Sequence, residues 1–216
     1  VELGAQSTND KVLAMNRRGH TREDIFRSAR LLKERGFELG LQMMTGLYGS
    51  NDEDSIGTAR DIISLSPDTA RIYPTVVIEN TELAELYRNG EYRPQTPEEV
   101  LCAKILPMFE RAGIKVIRLG LHSGGDVEGS FVAGAYHPAL REMCEGHIYF
   151  DIINRALSGK EKGKYIIYVA PREVSKASGQ RRCNIEKLRE LGYECRIKEN
   201  AALSARDITL EKVNLL

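Results

Sequence analysis

Apolar positions along the chain switch repeatedly between a short continuous run and a helical repeat. Val1–Gln6 and Phe37–Met44 (FELGLQMM) are short apolar runs of strand length. Between them Ile25, Ala29 and Leu32 fall at i, i+4 and i+7, one face of a helix that Thr21 and Asp24 open as a capping box and Gly36 ends. A second helix is expected over Asp52–Leu65, stopped by Ser66-Pro67. A strand follows over Ala70–Ile78 (ARIYPTVVI). Thr96-Pro97-Glu98-Glu99 reads as a complete helix start, and the helix runs to about Arg111 with a kink at Pro107. Gly113 ends it and Ile114–Leu121 (IKVIRLGL) is the next strand. The order β-α-β-α-β-α-β predicts parallel strands with right-handed crossovers, so an α/β fold, either an open sheet or part of a barrel.

In such folds chemistry gathers at the carboxyl ends of the strands. Here those ends are Gln6-Ser7, Gln42 to Gly46, Tyr73 to Thr75 and Arg118 to His122. His122–His137 is glycine-rich and reads as a loop, either a binding lid or plain surface. A helix over about Pro138–Ser158 leads to a tail with a strand at Tyr165–Ala170, a helix to about Glu190 and a strand at Tyr193–Lys198. Two domains are expected, residues 1–158 and 159–216.

Composition changes the picture in one place. The 216 residues are 42% hydrophobic and 29% charged with formal net charge zero, ordinary for a globular protein. Residues 160–199, however, hold eleven basic side chains against six acidic ones. A basic tail on an acidic body points to an anionic partner for the tail. No apolar run approaches the roughly 20 residues of a membrane helix. The cysteines, Cys102, Cys144, Cys183 and Cys195, lack metal-site spacing, and with no secretory signal a reducing, cytoplasmic setting is the simple reading. Oligomeric state is not legible.

Three ordered motifs carry a resemblance. Val1-Glu2-Leu3-Gly4-Ala5-Gln6-Ser7 with Arg17-Arg18-Gly19-His20-Thr21 is similar to the V-E-L-G-V-Q-S…N-R-G-H-T stretch of the Elongator radical S-adenosylmethionine (SAM) family, with Arg17 in place of the usual Asn. Met43-Met44-Thr45-Gly46-Leu47-Tyr48-Gly49-Ser50 resembles its M-M-P-G-L-P-G-S. Ile72–Ile78 resembles I-Y-P-T-L-V-I, and Arg118 matches an arginine on the family's next strand. A related Q…R pair occurs in oxygen-independent coproporphyrinogen III oxidases.

The resemblance implies a partial radical-SAM (TIM-like) barrel. It implies that Gln6 meets the ribose or methionyl part of SAM, that Ser7 is also among the SAM-binding residues, that Arg18 pairs with the SAM carboxylate, that Gln42 supplies a polar ligand group, and that Gly46 lets backbone approach adenine. Guanidinium suits the carboxylate bidentately. By strand alternation Glu2 lies on the face of Gly4 and Gln6, and Arg71 on that of Tyr73. With Arg118 and His122 these are expected to line the barrel interior or meet substrate. Catalytic residues are not identified. The family's [4Fe-4S] cluster needs C-x-x-x-C-x-x-C, which is absent here, so its ligands are expected upstream of Val1, no metal site is expected in this segment, and the segment alone is expected to be inactive.

In the tail, Gly179-Gln180-Arg181 matches the first three positions of a KH-domain G-x-x-G loop, which clamps nucleic-acid backbone, but Arg182 replaces the second glycine. Lys176, Gly179, Arg181 and Arg182 are the candidate RNA-binding residues of this KH-like basic module. The leading reading is a radical SAM enzyme acting on RNA, tRNA in particular. The alternatives are a coproporphyrinogen-oxidase-like enzyme of a small molecule and a non-catalytic RNA-binding protein.

Overall fold

The computed structural model describes residues 1–97, 101–121 and 129–213. The chain divides into two compact units, Val1–Leu140 and Arg141–Leu216. The division falls at the start of a long helix, Leu140–Leu157, rather than at its end near residue 158.

The first unit is built on four parallel strands. β1 (Glu2–Gln6), β2 (Gly40–Thr45), β3 (Thr69–Pro74) and β5 (Lys115–Leu119) lie side by side in that order. Between them run α1 (Asp10–Met15), α2 (Arg22–Glu34), α3 (Asp52–Ser64) and α5 (Cys102–Arg111). The capping box expected at the start of α2 is present, with Asp24 returning to the Thr21 N–H at 3.0 Å. α3 has its own box, built from Asn51 and Asp54.

The helices settle on one face of the sheet. α2 packs on β1, α3 on β2, and α5 on β3 and β5. Their buried residues, among them Ala29, Ala59, Ile62, Ile105 and Phe109, form the core together with Leu41, Met43, Ala70 and Ile72 from the strands. Alternation sends Gln42, Met44, Arg71 and Tyr73 to the other face, where each stays half-buried. This architecture, parallel strands with crossover helices on one side, is the wall of a partial α/β barrel.

The run expected as one strand over Ala70–Ile78 is two. β3 stops at Pro74, and β4 (Val76–Ile78) pairs antiparallel with β6 (Phe131–Gly134) in a separate ribbon. Pro74 has no N–H to continue the ladder, and Thr75 instead donates its N–H and hydroxyl to the Thr45 carbonyl, each at 2.9 Å. β6 also shows that the stretch expected as a continuous loop holds a strand. Residues 122–128 of that stretch, His122 included, and the Glu98 and Glu99 of the expected helix start lie outside the described residues. α1, α4 (Glu82–Arg88) and the last strand of the chain are further elements the apolar pattern did not announce.

The second unit contains α6 (Leu140–Leu157), then β7 (Gly163–Val169), α7 (Val174–Ser178), a single 3-10 turn at Gln180–Arg182, α8 (Cys183–Glu190), β8 (Tyr193–Glu199) and β9 (Ile208–Lys212). β7 is central, parallel to β8 and antiparallel to β9. Its core joins Tyr149, Ile153 and Leu157 to Ile167, Val169 and Leu188. Among the described residues no helix is long and apolar enough to cross a membrane.

Thr58, buried on α3, receives the N–H of Thr8 at 3.0 Å and faces the hydroxyls of Ser7 and Thr8 at 3.4 Å. It therefore fixes the turn that leaves β1. Thr58→Ala should strand the buried Thr8 N–H and cost about 1–3 kcal/mol, measured by urea unfolding; a change within ~0.3 kcal/mol would show that the turn holds without it.

Candidate functional site

Two irregularities shape the open face of the sheet. The β1–β2 register shifts between Gly4 and Gln6, and Gln6 ends the strand in a left-handed conformation (φ 55°). The turn brings the Gln6 amide back over Gly4, where a Cβ would lie 2.2 Å from Gln6 Nε2. The second shift lies on β5. Ala70 pairs with Val116 but Arg71 pairs with Arg118, so Ile117 is an extra residue. Without this bulge, alternation from buried Val116 would turn Arg118 toward the helices; with it, Arg118 joins Arg71 on the open face.

A hydrogen-bonded row crosses this face. Gln42 Nε2 donates to Glu2 Oε2 at 3.0 Å, Arg71 pairs with Glu2 Oε1 at 2.7 Å, and Arg71 also donates to the Tyr73 hydroxyl at 3.3 Å. Tyr73, ahead of Glu2, raises the Arg71 pKa above its already high ordinary value. Arg71 Nε is buried with no hydrogen-bond partner among the described residues. Four residues singled out from sequence, Glu2, Gln42, Arg71 and Tyr73, are thus joined across three strands.

Arg18 reaches the same edge from the α1–α2 connection. That connection is pinned at three points: Asn16 donates to the Tyr48 carbonyl at 2.9 Å, Arg17 pairs with Glu82 at 2.7 Å, and the His20 ring lies 3.2 Å from the Ala5 carbonyl. Arg18 itself is exposed, and among the described residues its guanidinium meets the thioether of Met44, at 3.8 Å. Met44 belongs to the Met43–Ser50 motif but is not among the expected site residues; it lies two positions beyond Gln42 on the same face of β2. No carboxylate neutralises Arg18 or Arg118 among the described residues, whereas Arg71 is paired.

Two expected site residues stand apart from this row. Ser7 is buried, turned under α3, where its hydroxyl faces Thr58 and accepts from the Asn9 N–H at 3.1 Å. The left-handed Gln6 is what turns it inward. Gly46 (φ 70°) borders a separate pocket of about 290 Å³ lined by Tyr48, Ser50, Asp52, Tyr92 and Gln95. The space beside its bare Cα is taken by the Gln95 side chain, 3.1 Å from where a Cβ would sit, and its carbonyl accepts from the Tyr92 hydroxyl at 2.6 Å. Burial pushes the Tyr92 phenol up to about 12, which keeps it a donor.

Within the second unit, Gly179-Gln180-Arg181-Arg182 forms the junction between α7 and α8. Gly179 is buried, and a Cβ there would lie 2.7 Å from Cys183 Sγ and 2.9 Å from the Asn184 side chain. Its glycine requirement is therefore internal packing. Lys176 turns inward, paired with Glu173 at 2.7 Å and buried Glu145 at 3.5 Å. Arg181 and Arg182 are exposed, both in left-handed conformations at the start of α8.

Comparison with known proteins decides the family. The model of the Radical SAM superfamily matches residues 1–62, and that of the Radical_SAM C-terminal domain matches residues 67–149. The chain belongs to the radical SAM superfamily. Within this superfamily it is similar to tRNA uridine(34) acetyltransferase of Methanocaldococcus jannaschii, 38% identical over 119 residues, covering 51% of this chain and 22% of the relative. Elongator complex protein 3 of Homo sapiens is 33% identical over 119 residues, covering 50% of this chain and 21% of the relative. Among solved structures, the archaeal Methanocaldococcus infernus Elp3 with an N-terminal deletion superposes with a TM-score of 0.56 at 28% identity, over 73% of this chain and 36% of that one. The matched stretch is thus about a fifth of the length of the curated relatives.

Radical SAM proteins use SAM with a [4Fe-4S] cluster. The open face fits part of a SAM site: it has an exposed guanidinium that no carboxylate among the described residues neutralises, and a side-chain amide held over a glycine. The described residues do not fit the cluster. No group of three His, Cys, Asp or Glu among them is placed to hold a metal ion, and the four cysteines are free and separate. Burial raises the Cys195 thiol to about 11.

Gly4→Ala tests the roof over β1. The new methyl must displace the Gln6 amide while leaving an ordinary strand backbone, so binding of S-adenosylhomocysteine should weaken by roughly three- to tenfold. Unchanged titration calorimetry would exclude Gln6 from the site.

Proposed function

We propose that this chain forms part of a radical SAM enzyme that modifies RNA, with tRNA as the substrate class, and that its first unit supplies one side of the SAM site. The observation that carries the reading is the Arg18 guanidinium, seated on Met44 two residues beyond Gln42 on β2 and without an anionic partner among the described residues, with the Gln6 amide folded over Gly4 on the adjoining strand. Arg18 binds the methionyl carboxylate. Gln6 and Gln42 supply hydrogen-bonding groups to the rest of the ligand. When bound, the cofactor supplies radical chemistry on the substrate; thiolates for the cluster come from outside the described residues.

Arg71 is already engaged by Glu2 and Tyr73, so it serves as framework. Arg118, which shares the open face, is the cation available to an anionic group of the substrate. The names of the similar proteins, which act on tRNA or belong to Elongator, support RNA as that substrate. In the second unit Arg181 and Arg182 contact phosphate, while Lys176 and Gly179 shape the junction from within.

Arg18→Ala should lower S-adenosylhomocysteine affinity about tenfold or more, and Arg18→Lys should recover only part of it because ammonium cannot pair bidentately. Unaltered affinity in Arg18→Ala would overturn the carboxylate assignment. The Arg181→Ala/Arg182→Ala variant should weaken tRNA binding and reduce its salt dependence by roughly one in log–log slope for each phosphate no longer neutralised. An identical slope would remove RNA from this junction.

A further inference from the structure

Glu2 is positioned between two donors from neighbouring strands, the Gln42 amide of β2 at 3.0 Å and the Arg71 guanidinium of β3 at 2.7 Å. An ionised carboxylate only accepts hydrogen bonds, whereas a glutamine amide has a donor end and an acceptor end of nearly the same shape. Against Glu2, Gln42 can present only its NH₂ end. The reversed amide would set Oε1 against a carboxylate oxygen, two acceptors with no proton between them. Arg71 keeps Glu2 in place, and Tyr73 in turn holds Arg71 at 3.3 Å.

We propose that Glu2 is a positioning residue that fixes the amide orientation of Gln42, so that Gln42 offers its carbonyl oxygen to the ligand and the site selects a hydroxyl or ammonium group at that point. The proposal rests on the SAM reading of the open face and adds to it the polarity of one contact. Arg18 supplies a cation for the anionic end of the ligand, and Gln42 Oε1 supplies an acceptor for a donor group. Together they favour a ligand carrying both a carboxylate and hydroxyl or ammonium groups, and they disfavour one that presents an acceptor to Gln42. Glu2 does this without touching the ligand.

The test uses the full natural polypeptide labelled with ¹⁵N-glutamine, with the Gln42 side-chain resonance assigned by its loss in Gln42→Leu. Glu2→Gln keeps the size of the side chain but no longer dictates which end of the Gln42 amide faces it. The expected result is a shifted Gln42 amide resonance with faster proton exchange in Glu2→Gln. S-adenosylhomocysteine affinity should fall roughly three- to tenfold in both Glu2→Gln and Gln42→Leu, and the double variant should bind no more weakly than Gln42→Leu alone. Additive losses, or an unmoved Gln42 resonance in Glu2→Gln, would overturn the proposal. A moved resonance with unchanged affinity in both single variants supports the orientation and overturns the SAM reading of the face. Circular dichroism and the resonances of the remaining glutamines separate these outcomes from misfolding, and Arg71→Met, which removes the anchor but leaves the carboxylate, gives a second variant in which the same resonance should move.

Discussion

Strand alternation in a parallel sheet with its helices on one side governs this molecule. Every second side chain of β1, β2, β3 and β5 must enter the helix-packed core, and the intervening ones must stand on the open face. The first set is Leu41, Met43, Ala70 and Ile72. The second is Glu2, Gln42, Met44, Arg71, Tyr73 and Arg118, of which Glu2, Gln42, Arg71 and Tyr73 carry polar groups that can satisfy one another. Those four are joined by a row of hydrogen bonds running across the strands, in which Glu2 links Gln42 to Arg71. The row ties the polar surface to the backbone register, so the site inherits the rigidity of the sheet.

The departures from alternation matter as much as the rule. Gln6 leaves β1 in a left-handed conformation that folds its amide over Gly4 and sends Ser7 inward to Thr58. Ile117 is inserted in β5 and so turns Arg118 to the open face. Such bulges re-aim side chains at the ends and edges of sheets, and here each decides which face of the sheet one side chain occupies.

Much of this was legible in the sequence. The three core strands Phe37–Met44, Ala70 onward and Ile114–Leu121 announced themselves as apolar runs, and Thr21 with Asp24 marked a helix start that is present in detail. The motifs around Gln6, Arg18, Met43–Ser50 and Ile72–Ile78 carry the resemblance to the superfamily whose models match the chain. What escaped detection was set by tertiary contacts. The break at Thr75 depends on its bonds to Thr45, β6 lies in a glycine-rich stretch and is made a strand by pairing with β4, and the inward turn of Lys176 depends on Glu145, thirty-one residues away. Gly46 and Gly179 looked like points of ligand approach, yet Gln95 and Cys183 occupy the space beside them. A glycine signals that something comes close; only the fold says what.

We propose that this chain meets SAM at the open face by the carboxyl ends of β1 and β2. A crystal structure of the full polypeptide with S-adenosylhomocysteine tests it most directly. Ligand density in contact with Gln6, Arg18 and Gln42, with the carboxylate on Arg18, is the predicted result. Density confined to the pocket between Gly46 and Gln95, or none at saturating ligand, would contradict it.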